Sequence, residues 1–172
     1  LSDKKNKTEQ ILEQIKKQRS RSRVIAAEEE RIELVIFSLA KDYYAFYGTN
    51  VKEILPYEKI TYVPGCPDFI TGIINIRGDI ESVISIHKLM GIPEKKPDKN
   101  FRIIMGVHQD ILSGILVDSV EDVIEVPLTY IKHPISTLDK KIKDFTVGGE
   151  MIYENKYVNI LDIGKLFSIL IQ

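Results

Sequence analysis

The chain has 172 residues, 44% hydrophobic and 28% charged, so it can bury a genuine core, and disorder cannot describe the whole of it. Nine cationic and six acidic residues fall in the first 31, which leaves 15 against 19 in the remainder; a net-negative globular part argues against a surface that tracks phosphates. The single cysteine, Cys66, rules out an internal disulfide, and no apolar run approaches the roughly 18 residues needed to span a bilayer, so a cytoplasmic protein without membrane insertion is expected.

Residues 8–31 lack Gly and Pro, and Ile11, Leu12 and Ile15 fall at helical spacing before Val24, Ile25, Ala26 and Ala27. This predicts an N-terminal helical extension over 1–31 with a narrow apolar stripe, either solvated or docked on a partner or a second copy through self-association. From Leu34 the texture changes to short β-forming runs. Leu34–Leu39 and Tyr43–Phe46 flank a polar turn, and a third strand over Val51–Leu55 ends at Pro56, which cannot donate to a ladder. Pro64, Gly65 and Pro67 mark a loop, after which Asp68 is expected to cap a short helical turn.

Phe69–Leu89 carries two strands of branched residues, Ile73, Ile74 and Ile76, then Ile80, Val83, Ile84 and Ile86, turning at Arg77-Gly78-Asp79. Arg77 is the only arginine between Arg31 and Arg102. A guanidinium at a hairpin tip beside Asn75 offers a rigid fork of donors to a partner's carboxylates or carbonyls, and Gly78 frees the backbone for the turn. This reads as a docking site.

Gly91–Asn100, charged and holding two prolines, is expected to be a linker. Hairpins follow at Ile103–Val117 and Glu150–Leu161, with a strand at Val123–Val126 between them and a loop over 129–147. Asp162 is placed to cap a final helix over 162–170 that buries Leu166, Phe167 and Leu170. The expected fold is therefore all-β: two packed five-stranded barrels of SH3-like or OB-like form. The first covers about 32–90 and the second about 101–161, with terminal strands free to return to the first.

Catalytic readings fail on spacing. His87, His108 and His133 have no partner at metal-ligand spacing, and one cysteine cannot build a zinc cluster. Ser82 and Ser85 precede His87 on what reads as a strand, without a nucleophile elbow. Gly148-Gly149 lacks the lysine and helix start of a phosphate loop. Asp118, Glu121, Asp122 and Glu125 read as a solvated rim rather than a calcium loop. Tyr43, Tyr44 and Tyr47 lack the basic flanks of a base-stacking platform and read as packing residues. No enzyme, metal or cofactor is expected.

The order of these pieces resembles the CheW-like family of bacterial chemotaxis coupling proteins. Leu34–Leu39 is similar to its opening strand, Val51-Lys52-Glu53-Ile54 to its second, Pro67–Gly78 to its most recognisable segment, and Ser113–Val123 to a second signature. The likeness covers about Glu33–Phe167. It implies two barrels around a shared apolar interior and a non-catalytic adaptor in two-component signalling. Such an adaptor couples the cytoplasmic tip of methyl-accepting chemoreceptors to the regulatory domain of the histidine kinase CheA. It places Val51, Glu53, Ile54, Gly72, Asn75, Arg77 and Gly78 at the receptor-facing groove, and Gly114 and Val123 toward the kinase. Ser82 and Ser85 stand where the family usually has a proline and an aspartate, and Tyr47 where an aspartate is common. Alternatives are a CheW-like module of a larger or divergent signalling protein and a nucleic-acid-binding β-barrel.

Overall fold

The computed structural model describes residues 2–133 and 144–171. These divide into two compact units, Leu1–Arg31 and Ile32–Gln172. In the first, helix α1 runs Ser2–Glu28.

In the second unit, ten strands follow from tight turns. β1 (Arg31–Leu39) and β2 (Asp42–Tyr47) reverse at Ala40, β4 (Ile70–Ile76) and β5 (Asp79–Ser85) at Arg77-Gly78, β6 (Arg102–His108) and β7 (Ile111–Val117) at Gln109, and β9 (Thr146–Tyr153) and β10 (Lys156–Leu161) at Glu154-Asn155. Each turn holds residues at positive φ, between 46° and 98°; the Arg77-Gly78 and Glu154-Asn155 turns carry it at both central positions, which matches the natural twist of paired strands. β3 (Val51–Pro56) and β8 (Ser119–Pro127) complete the set.

The ten strands form two five-stranded sheets, in the orders β8-β1-β2-β10-β9 and β3-β6-β7-β5-β4. The sheets therefore do not divide at the 91–100 linker, and the expected barrels over 32–90 and 101–161 are corrected. β3, β4 and β5 belong with β6 and β7, while β8, β9 and β10 join β1 and β2. The linker only carries the chain from β5 to β6 inside one sheet. Two parallel pairings make the exchange possible: β10 lies along β2 with Ile160 opposite Ala45, and β5 along β7 with Ile84 opposite Ile115.

Burial explains why these strands read as continuous apolar runs. Alternate residues of β1 point to opposite sides: Leu34 and Ile36 enter the interior of their own sheet with Ala45, Val158 and Ile160, while Val35, Phe37 and Leu39 pack against the other sheet. The second sheet does the same, with Val83, Ile103 and Met105 inside and Ile84, Ile104, Ile115 and Val117 facing across. Both faces of the central strands are thus dry. Each fully buried Ile, Leu or Phe contributes roughly 1.5–3 kcal/mol.

Two short helices close the layer between the sheets. Ile86, expected as the end of a strand, instead opens the helix Ile86–Met90 (α2), where the Ser85 Oγ accepts the Lys88 N–H at 3.3 Å and Gly91 at φ 68° ends the turn. Ser85 thereby does the capping work that an aspartate would do. α3 (Ile163–Phe167) starts from Asp162, whose carboxylate accepts the Lys165 N–H at 3.2 Å, and it buries Ile163, Leu166 and Phe167. Asp68, expected to cap a helical turn, sits in a plain turn. Within the stretch expected as loop over 129–147, β9 starts at Thr146, and 134–143 lie outside the described residues.

Candidate docking site

β3 and β4 are the two edges of their sheet. Glu53 lies on one edge, and Arg77 stands at the hairpin tip that leaves the other. The guanidinium binds the carboxylate through both prongs, Nη1 to Oε1 at 3.1 Å and Nη2 to Oε2 at 2.9 Å. This hydrogen bonding holds the Glu53 carboxyl below its usual range and raises the Arg77 guanidinium. The lone fork expected from the sequence is thus already engaged within the chain. It is not sealed: the Arg77 side chain is 73% exposed, and a guanidinium has five N–H donors, of which Glu53 takes two.

Beside the pair, Asn75 is exposed and its Oδ1 accepts the Gly78 N–H at 2.9 Å, which fixes the turn that presents Arg77. Val51 and Ile54, half-buried, pack on the apolar layer between the sheets. Glu53, Asn75, Arg77 and Gly78 therefore come together at the surface, and Val51 and Ile54 extend from them toward the inter-sheet layer.

Gly72 does not join them. It is buried, has φ +151°, and a Cβ there would lie 2.2 Å from the Thr61 carbonyl oxygen. That close approach is a backbone bridge in which Thr61 and Ile73 exchange two hydrogen bonds of 2.9 Å. Gly72 shapes the sheet edge.

Gly114 and Val123 are separated. Gly114 is buried in β7, where a Cβ would meet Ile103 at 2.8 Å and Val83 at 3.2 Å. Val123 is 48% exposed on the edge strand β8 of the other sheet.

Sequence reasoning missed a buried polar contact. His87 and Asp118, with side chains 1% and 4% exposed, bring Nε2 to 2.8 Å from Oδ1. Asp118 also accepts the Ala40 N–H at 2.8 Å through Oδ2. Asp118 is therefore no part of a solvated rim: it ties the β1–β2 turn of one sheet to α2, which follows β5 of the other. The available signal was a histidine next to Ile86 at the end of a strand of branched residues. Ser82 bonds Ser113 across the sheet, Oγ to Oγ at 2.8 Å. Among the described residues no group of three or more His, Cys, Asp or Glu could hold a metal ion, and no helix is long and apolar enough to cross a membrane.

Three comparisons bear on this geometry. A family model described as the CheW-like domain matches residues 33–170. The chain is 36% identical over 137 residues to the chemotaxis protein CheW of Bacillus subtilis, covering 78% of this chain and 86% of that one. It is 28% identical over 148 residues to the CheW of Treponema pallidum, covering 84% and 86%. The crystal structure of the scaffolding protein TtCheW from Thermoanaerobacter tengcongensis superposes with a TM-score of 0.69 at 32% identity, covering 78% of this chain and 86% of that one. The twin five-stranded architecture and the match over 33–170 agree, and the chain belongs to the CheW-like domain family.

Proposed function

We propose that this chain is a non-catalytic chemotaxis scaffold that couples the cytoplasmic tips of chemoreceptors to the regulatory domain of the histidine kinase CheA. The observation that carries the reading is the exposed Arg77–Glu53 pair, set at a sheet seam within a chain of this family. Its unused N–H donors suit the carbonyls and carboxylates at a receptor helix tip, and Val51 and Ile54 supply an apolar floor beside them. Gly78 and Asn75 hold the turn, and Gly72 keeps the edge in shape.

On this reading the kinase binds elsewhere, on a surface that includes Val123. Contacts of about −8 kcal/mol each, micromolar taken singly, become durable when one scaffold holds several partners in an array. Such a scaffold works in the cytoplasm at receptor clusters.

Arg77→Ala tests the assignment against a receptor tip fragment and the CheA regulatory domain. Receptor binding should weaken roughly tenfold or more while kinase binding and the melting temperature stay near the parent values. Unchanged receptor binding, or an unfolded variant, would return Arg77 to a purely structural role.

A further inference from the structure

Helix α1 spans about 40 Å at 1.5 Å per residue. Ile11, Leu12 and Ile15 are 51%, 52% and 41% exposed along it. Lys16, Lys17, Arg19, Arg21 and Arg23 place five cations in eight consecutive residues with no acid among them, all exposed. Two shallow hollows run along the helix and share Ile15 and Gln18. One is walled by Arg19 and Arg23, the other by Lys17 and Arg21.

Ile11, Ile15, Gln18 and Ser22 thus form a seam at alternating four- and three-residue spacing, the spacing by which one helix packs along another. Cations stand on both sides of it. From this we infer that α1 is a docking helix for an acidic amphipathic helix of a partner protein, with its apolar line in the seam and its Glu or Asp side chains against the cationic walls.

Charge selects this occupant over a second copy, because pairing two such helices sets cationic wall against cationic wall. The polar second half of the seam selects it over a membrane. Gln18 and Ser22 would enter hydrocarbon without partners, whereas between two helices a polar seam residue specifies register. Nucleic acid would leave the three exposed apolar side chains unused, and α1 carries no aromatic residue on which a base could stack. The inference is independent of the Arg77 site.

The test uses the full chain and two synthetic helical peptides of about four heptads, long enough to be helical. Both have leucine along the seam. One carries Glu at the flanking positions and the other Lys. The chain should bind the Glu-flanked peptide roughly tenfold or more tightly than the Lys-flanked one, and less tightly as salt rises. The fourfold reversal Lys17→Glu, Arg19→Glu, Arg21→Glu and Arg23→Glu, which turns both walls acidic, should invert the preference, a result that loss of helix cannot produce. Ile15→Asp should abolish binding of the Glu-flanked peptide while the cations remain. Equal affinity for the two peptides, full binding by the Ile15→Asp chain, sedimentation as a dimer that the Glu-flanked peptide does not dissolve, or retention on phosphatidylserine vesicles without peptide binding would each overturn the inference.

Discussion

Glu53 and Arg77 stand at opposite edges of one sheet and grip each other across its seam, with two bonds of 2.9 and 3.1 Å. The pair joins β3 to the hairpin of β4, strands with no ladder between them in the sheet order. Both side chains reach solvent, so the pair shapes a surface as well as closing one, and its net worth to folding is small because water and salt screen it.

Protonating Glu53 should loosen this seam in acid. Arg77 depresses the carboxyl by hydrogen bonding, so the folded value lies below the unfolded one of about 4.3. The contribution to stability is then present above the unfolded value and lost as pH falls through the folded one. Carbon-detected NMR titration of Glu53 should show this depressed midpoint, and in Arg77→Ala it should rise toward the ordinary range. A midpoint unaffected by the substitution would mean that the pair does not form in solution.

The two glycines of the hairpin region should respond differently to alanine. Gly72→Ala combines positive φ with a Cβ 2.2 Å from a backbone oxygen, and it should cost on the order of 2–3 kcal/mol. At Gly78, φ is +98° with nothing within 4 Å, so alanine there should cost about 1 kcal/mol from conformation alone. Urea unfolding of the two variants would decide, and equal costs would refute the close approach at Thr61.

Removing His87 should be destabilising. His87→Ala removes the imidazole that lies 2.8 Å from the buried Asp118 carboxylate, which keeps the Ala40 N–H and has Lys95 Nζ at 4.0 Å, so the cost should be that of a lost buried polar contact, about 1–3 kcal/mol. The double variant His87→Ala/Asp118→Ala should lose less than the two single losses added together, since the residues act as a pair. A single-variant loss under about 1 kcal/mol would show that the contact carries no net stability.

Alkali should destabilise the layer between the sheets through Tyr44. Burial, reinforced by Asp42, pushes its phenol up to about 12, while an unfolded tyrosine ionises near 10. The unfolded chain therefore sheds a proton that the folded chain keeps, and stability should fall as pH rises from about 10 to about 12. Tyr44→Phe should flatten that slope in denaturant melts taken across the range. An unchanged slope would assign it to other groups.

How much of this was legible in the chain depends on how local the cause is. The Asp162 cap and the Arg77-Gly78 turn rest on residues within four of one another, and they stand in the structure where the sequence placed them. The run Ile84–Ile86 misled because an apolar stretch suits a strand or a buried helix equally, and the deciding feature was the Ser85 hydroxyl turned onto the Lys88 N–H. Among the site residues, Arg77 and Asn75 stood out from their hairpin alone. Glu53 entered only through resemblance, because its bond to Arg77 crosses 24 positions of sequence.

By itself, then, the sequence determined the hairpin turns, the Asp162 cap and most of the strands, since each is set by neighbours a few residues apart. The tertiary structure alone decided that β1 and β2 leave their neighbours for β8–β10, that Glu53 meets Arg77, and that His87 meets Asp118 out of water. A strand with two apolar faces must be covered on both, and many partners satisfy that demand locally. The choice among them falls to whichever arrangement buries all the faces at once.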